Sequence, residues 1–262
     1  MLAEIHRKIS RSGSNLSDRL EDKLTGDFFG AIRYMPFEVA FQHVMRQVRF
    51  HNDDHQLEWN AVIDKVAGYE AVLDFWPSHS EGEIDLLLRH SDAYVGIEVK
   101  YFSSLSSVDE EDEESIRPEE SKNQLVRYAR MLKEIGKDRP KFLVFLAPYN
   151  ILFPVEHAMQ TSSVLLEDVP FGYLGWQDVL SALEQIDLQP MPYWQAMIIN
   201  DLKALLVRKG FVHYKGLPES LLHTELTDEA YQYCKQDIER RGYLWPAHDT
   251  IEQEDSYVYH QQ

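Results

Sequence analysis

The sequence predicts an α/β protein: a mixed central sheet flanked by helices, with a C-terminal α/β extension. Three observations predict it. The stretch GEIDLLLRHSDAYVGIEVK, residues 82 to 100, alternates apolar and polar residues on both sides of a Ser91-Asp92 turn, as a β-hairpin does. The run KFLVFLAP, 141 to 148, is continuously apolar, as in a strand covered on both faces. Amphipathic stretches at helical spacing precede, separate and follow these strands.

In chain order, residues 1 to 15 are polar and Ser-rich with a basic cluster, and read as a flexible basic arm. From Ser17, a candidate N-cap, Leu20, Leu24, Phe28 and Ile32 keep helical spacing. Pro36 opens a second amphipathic stretch with Phe37, Phe41, Val44 and Val48 on one stripe, and a third lies near 57 to 67. YEAVLDFW, from 69, is the first core strand, followed by the hairpin and an acidic loop, 108 to 120. A helix is expected over about 119 to 135, with Leu125, Tyr128, Leu132 and Ile135 inward and Gly136 closing it. FGYLGWQDVLSAL reads as a strand running into a helix. A long amphipathic helix starts near 193, with Ile198, Leu202, Leu205 and Leu206 on its stripe. The boundaries that follow are a core over 16 to 148, an extension of the same domain over 149 to 244, and an acidic tail over 245 to 262.

The hairpin register raises a question of charge. A two-residue or four-residue loop at Ser91-Asp92 makes opposed residue numbers sum to the same value, which sets Asp85 against Glu98 and Glu83 against Lys100. Directly opposed like charges destabilise a sheet. Two carboxylates about 5 Å apart repel by roughly 3 kcal/mol at an effective dielectric near 20. Either Lys100 neutralises the pair as an ion-pair network, or a hard divalent cation binds both acids together with waters.

These residues also carry a resemblance. Gly82-Glu83-Ile84-Asp85, then Glu98-Val99-Lys100, resembles the D…(D/E)xK signature of the PD-(D/E)xK nuclease superfamily, and the helix, three strands, helix and strand around it are similar to its αβββαβ core. The resemblance covers residues 16 to 148; no proline precedes Asp85, unlike the family's eponymous form. It implies a restriction-endonuclease-like fold and Mg²⁺-dependent hydrolysis of phosphodiester bonds, with DNA the expected substrate, Mn²⁺ able to substitute, and a prokaryotic setting of restriction, defence or repair. It further implies Asp85, Glu98 and the Val99 carbonyl as metal ligands, with Lys100 near the attacking water. Glu21 matches the helix-1 acid that often completes the metal site, with Glu38 the fallback. Gln124 and Tyr128, four apart on one helix face, are similar to a glutamine-x-x-x-tyrosine pattern of some relatives, in which Gln124 bonds phosphate or a metal-held water.

Composition bounds the alternatives. The chain has 262 residues, 44% of them hydrophobic, and no signal-like start or apolar run of membrane length, so a cytoplasmic protein without membrane association is expected. The single cysteine, Cys234, excludes an intrachain disulfide framework and a multi-cysteine zinc site. A net charge of −18 argues against coating nucleic acid by bulk electrostatics. Charge is uneven, however: 121 to 141 holds seven Lys or Arg against two acids, and 203 to 215 four against none. These two stretches are the candidate phosphate-facing surfaces; in the first, Lys122, Arg127 and Arg130 are the candidate contacts, or a solvated helix face. HNDDH, 51 to 55, lacks the second ligand pair of a zinc site, and the usual nucleotide-loop, dinucleotide, serine-hydrolase and zincin motifs are missing. The rival to a nuclease is a non-catalytic subunit of the same fold, docking on a protein partner through the extension or its acidic segments. A homodimer is compatible with either.

Overall fold

The helical first third folds by burying one stripe. The computed structural model describes residues 16–102, 123–161 and 168–212. Helix α1 (Leu16–Ile32) buries Leu24, Phe28 and Ile32, and a short 3₁₀ turn (Phe37–Val39) leads into α2 (Phe41–Met45). Asn52 caps α3 (Asp53–Ile63), its side chain accepting from the amides of Asp54 (2.8 Å) and His55 (3.2 Å). HNDDH is therefore a helix start, with Asp53 and Asp54 in the first turn where the helix dipole favours acids.

Among the described residues seven strands follow: β1 (Val72–Phe75), β2 (Ser78–His79), β3 (Gly82–Glu83), β4 (Leu86–Arg89), β5 (Tyr94–Val99), β6 (Lys141–Ala147) and β7 (Phe171–Gly175). Five form one sheet in the order β1-β4-β5-β6-β7, the first two pairings antiparallel and the last two parallel; β2 and β3 pair separately. The protein is thus α/β with a mixed five-stranded sheet. Helix α4 (Gln124–Gly136) connects β5 to β6, α5 (Tyr149–Thr161) leads toward β7, and α6 (Trp176–Glu184) and α7 (Tyr193–Arg208) follow.

The sheet separates two cores. On one face Phe28, Phe29, Trp59, Val95, Ile97, Phe142 and Trp176 belong to a cluster built with α1, α2, α3, α6 and α7. On the other, Leu125, Leu132, Leu143, Phe145 and Leu152 pack beneath α4 and α5. Both faces of β6 are covered, which accounts for its unbroken apolar run. No helix among the described residues is long and apolar enough to cross a membrane.

The hairpin register agrees with the sequence reading from Arg89↔Tyr94 to Leu86↔Ile97, but its first strand is not continuous. Ile84 lies in the same core as Leu87 rather than with Leu86 and Leu88, so the chain changes face between Ile84 and Leu86. Glu83 consequently pairs with Ser78 and not with Lys100, a correction to the expected cross-strand ion pair. Other differences lie at element ends and in one added helix. β1 begins at Val72, not 69. α4 starts at Gln124 because Asn123 caps it, its side chain accepting the Leu125 amide at 3.0 Å. α5 contains Pro154 and has no counterpart in the sequence reading. β7 joins the main sheet, so the extension adds to the same layer structure. Helix α1 already includes Leu16, so Ser17 lies within it and is not its N-cap. The expected N-terminal arm, the acidic loop, Lys122, Cys234 and the acidic tail lie outside the described residues.

Candidate functional site

The change of face at Ile84 creates the site. Continuing the β4–β5 register by one step puts Asp85 opposite Glu98, at a non-hydrogen-bonded position of the ladder where side chains approach most closely. Asp85 uses its carbonyl to accept from Trp76, at 2.9 Å, on the β1 side. Its carboxylate turns to β5, where Oδ2 accepts the Val99 amide at 2.8 Å. The amide and carbonyl of one strand residue point to the same side, so the Val99 carbonyl lies on the Asp85 edge of β5.

Glu98 and Lys100 are two apart on β5 and share a face. Lys100 Nζ is 2.7 Å from Glu98 Oε1 and donates to Glu21 Oε1 at 3.1 Å. The second oxygen of Glu21 accepts the Tyr101 amide at 2.9 Å. The backbone after Lys100 is held as well: its amide donates to Leu146 at 2.7 Å, and Trp176 Nε1 donates to its carbonyl at 3.0 Å. From α4, Gln124 Nε2 donates to Glu98 Oε1 at 2.8 Å and to Tyr128 Oη at 3.0 Å, and the Tyr128 hydroxyl donates to the Glu83 carbonyl at 2.7 Å.

The cluster is out of solvent: Glu98 is 2% exposed, Lys100 5%, Glu21 8% and Asp85 9%. Three carboxyls thus meet one ammonium, an excess of negative charge in a low-dielectric setting. Burial pushes Glu98 well above the ordinary carboxylate range, Asp85 adds to the rise, and Lys100 opposes it. Burial disfavours the Lys100 cation, but Glu98, Glu21 and Asp85 together outweigh that and hold it charged above its ordinary value. Tyr128 is also raised, by burial first and then by Glu98.

The structure brings Asp85, Glu98, Val99, Lys100, Glu21, Gln124 and Tyr128 together, drawing on α1, β5, α4 and the turn before β4. The contacts of Glu21 are those of a partner for Lys100, since both its oxygens accept from the β5 end. Glu38 lies elsewhere, its carboxylate accepting the Gly68 amide at 2.8 Å. Arg130 is committed to Glu81 at 2.7 Å, and Arg127 extends toward Gly82, so these two brace the β2–β3 hairpin against α4. Sequence reasoning missed Tyr101 and Trp176, whose amide and indole groups fix the end of β5. Tyr101 follows the motif directly, whereas Trp176 lies 76 residues beyond Lys100 and nothing local marks it.

Two carboxylates and a backbone carbonyl are hard oxygen donors, the set Mg²⁺ uses when it keeps several waters. Asp85 and Glu98 fit that chemistry. Among the described residues no group of three or more His, Cys, Asp or Glu is placed to hold a metal, so such a site would depend on water or substrate oxygens. An apolar cleft of about 300 Å³ lies at the β1 edge, lined by Ile32, Phe37, Phe41 and Leu88, and includes none of the cluster. Comparison of the chain with protein-family models, curated proteins and solved structures finds no match.

Proposed function

We propose that this protein is a Mg²⁺-dependent nuclease of the PD-(D/E)xK type, hydrolysing phosphodiester bonds of DNA on a restriction-endonuclease-like core. The observation that carries the reading is the meeting of Asp85, Glu98 and Lys100 with Glu21 and Gln124 in one buried cluster at the end of β5. Asp85, Glu98 and the Val99 carbonyl would hold the ion. When bound, Mg²⁺ supplies positive charge against the phosphoryl oxygens and eases deprotonation of water. Lys100, kept cationic by its acids, adds a second positive charge at the reaction centre. Glu21 holds the lysine in place, and Gln124 orients Glu98. A role in prokaryotic restriction, defence or repair rests on the sequence resemblance.

A second reading has its own observation. Lys100 is bonded to both Glu98 and Glu21, so the cluster also works as a structural ion-pair network in a non-catalytic subunit. Incubation with linear, circular and single-stranded DNA and with RNA, in Mg²⁺, Mn²⁺ or EDTA, separates the two. The nuclease reading expects metal-dependent cleavage that is lost in Lys100→Ala. Cleavage that persists in that variant removes this site from the chemistry.

A further inference from the structure

The C-terminal end of α7 reaches the same end of β5 by a defined route. Gly210 has φ +83°, a conformation suited to glycine. The Gly210 amide donates to the Val207 carbonyl at 2.9 Å, and the Phe211 amide to the Leu206 carbonyl at 3.1 Å. This pair of bonds is a Schellman cap, which satisfies the last carbonyls and turns the following apolar residue back toward the protein. Phe211 then stacks on Trp176, ring centroids 5.4 Å apart and planes 9° from parallel, and meets Tyr101 edge-on at 5.5 Å. Trp176 and Tyr101 are the residues whose indole and amide groups fix Lys100 and Glu21.

That anchoring leaves a basic, aromatic surface beside the cluster. Lys209 Nζ lies 4.6 Å from the centre of the Tyr101 ring. Burial lowers the Lys209 pKa, and Lys23 on α1 and Arg208 lower it further, with Asp27 opposing, so Lys23 and Arg208 each lie within electrostatic reach of Lys209. Lys23 and Arg208 are exposed. Phe102 lies against Tyr101, centroids 3.8 Å apart, and is 61% exposed. Cations crowded together repel one another, and Asp27 offsets that only in part, which leaves the surface suited to a further anion.

We propose that Lys23, Arg208 and Lys209 form the landing surface for the phosphate backbone of a single nucleic-acid strand entering the carboxylate cluster, with a base stacked on Phe102. The proposal rests on the nuclease reading and names its substrate-binding face. Phosphate contacts supply affinity without regard to sequence, and an exposed aromatic ring accepts any base. Arg130 is less suited, because a phosphate must first displace Glu81 from it.

The test is the fluorescence anisotropy of a labelled oligothymidine in EDTA at several salt concentrations, with KM for cleavage read in Mg²⁺. The triple variant Lys23→Gln, Arg208→Gln, Lys209→Gln should weaken binding about tenfold or more. It should also flatten the logarithmic salt slope by about 2, three contacts at roughly 0.7 each. Phe102→Ala should lose about tenfold with the slope unchanged. Lys209→Arg, which keeps the charge, should bind like wild type, and circular dichroism checks that each variant is folded. If wild type cleaves but the triple variant keeps its Kd, KM and slope, or if Arg127→Gln with Arg130→Gln carries the larger loss, the surface is wrong while the nuclease reading stands. Binding that depends on the triple, with no cleavage in any metal, supports the surface and removes the enzyme. Neither binding nor cleavage by wild type overturns both.

Discussion

The carboxylate of Asp85 accepts the amide of Val99 at 2.8 Å, so a side chain takes a donor that a longer β4–β5 ladder would give to the carbonyl of Ile84. Asparagine retains that acceptor and removes a charge from an over-negative cluster. Asp85→Asn should therefore be at least as stable as wild type in EDTA, whereas Asp85→Ala strands the amide and should lose about 1–3 kcal/mol. With Mg²⁺ at ten times its Kd, wild type should gain about 1.4 kcal/mol, and Asp85→Asn should lose most of that gain. Thermal melts in EDTA, Mg²⁺ and Mn²⁺ measure this. An equal metal shift in both proteins would put the ion elsewhere.

Glu98 predicts an unusual pH dependence. Its pKa is raised on folding, so the native state binds its proton more tightly than the unfolded chain does. Between the ordinary carboxylate range and the raised value, the Glu98 contribution to stability must fall as pH rises. Glu98→Gln should abolish that fall and be the more stable protein at the upper end of the window. Lys100, also raised, contributes at every pH below its ordinary value and loses that contribution only in strong alkali. Urea denaturation of both proteins across pH reads the difference; parallel curves would mean that Glu98 is not the group responsible.

Tyr128 links α4 to β3. Tyr128→Phe removes the bond to the Glu83 carbonyl and an acceptor for Gln124, and should cost about 1–3 kcal/mol in chemical denaturation. A loss below about 0.5 kcal/mol, usual for substitutions away from such features, would mean that the ring alone matters.

Gly96 sets the distance between sheet and helix. An added Cβ would lie 2.8 Å from Ile84 Cδ1 and 3.0 Å from Leu132 Cδ1. Gly96→Ala should cost about 1–3 kcal/mol through overpacking. It should also draw α4, and with it Gln124, away from Glu98, lowering any metal-dependent cleavage by more than the loss of folded protein explains. Activity that tracks the folded fraction alone would show that Gln124 is not needed for it.

The central register was legible because a turn of fixed length and a period of two leave one pairing that buries Leu86, Leu88, Val95 and Ile97 on the same face. The same logic found α4, whose Leu125, Tyr128 and Leu132 are all buried, and β6, apolar on both sides. It also set Asp85 beside Glu98, since both lie within a few residues of the turn. Periodicity could not foresee the change of face at Ile84, where Ile84 packs with Leu132 over Gly96, because contacts between elements leave no mark in a period of two.

What the sequence by itself determined is therefore local: the register of the central hairpin, the regularly patterned helices and the spacing of Asp85, Glu98 and Lys100, each dictated by backbone geometry within a short window. What only the tertiary structure decided is which partner each charge receives. Lys100 bonds Glu21 across 79 residues and Arg130 bonds Glu81 across 49. A buried charge must find a partner or neutralise itself. That partner is whichever opposite charge the packed layers bring within reach, and no local pattern encodes it.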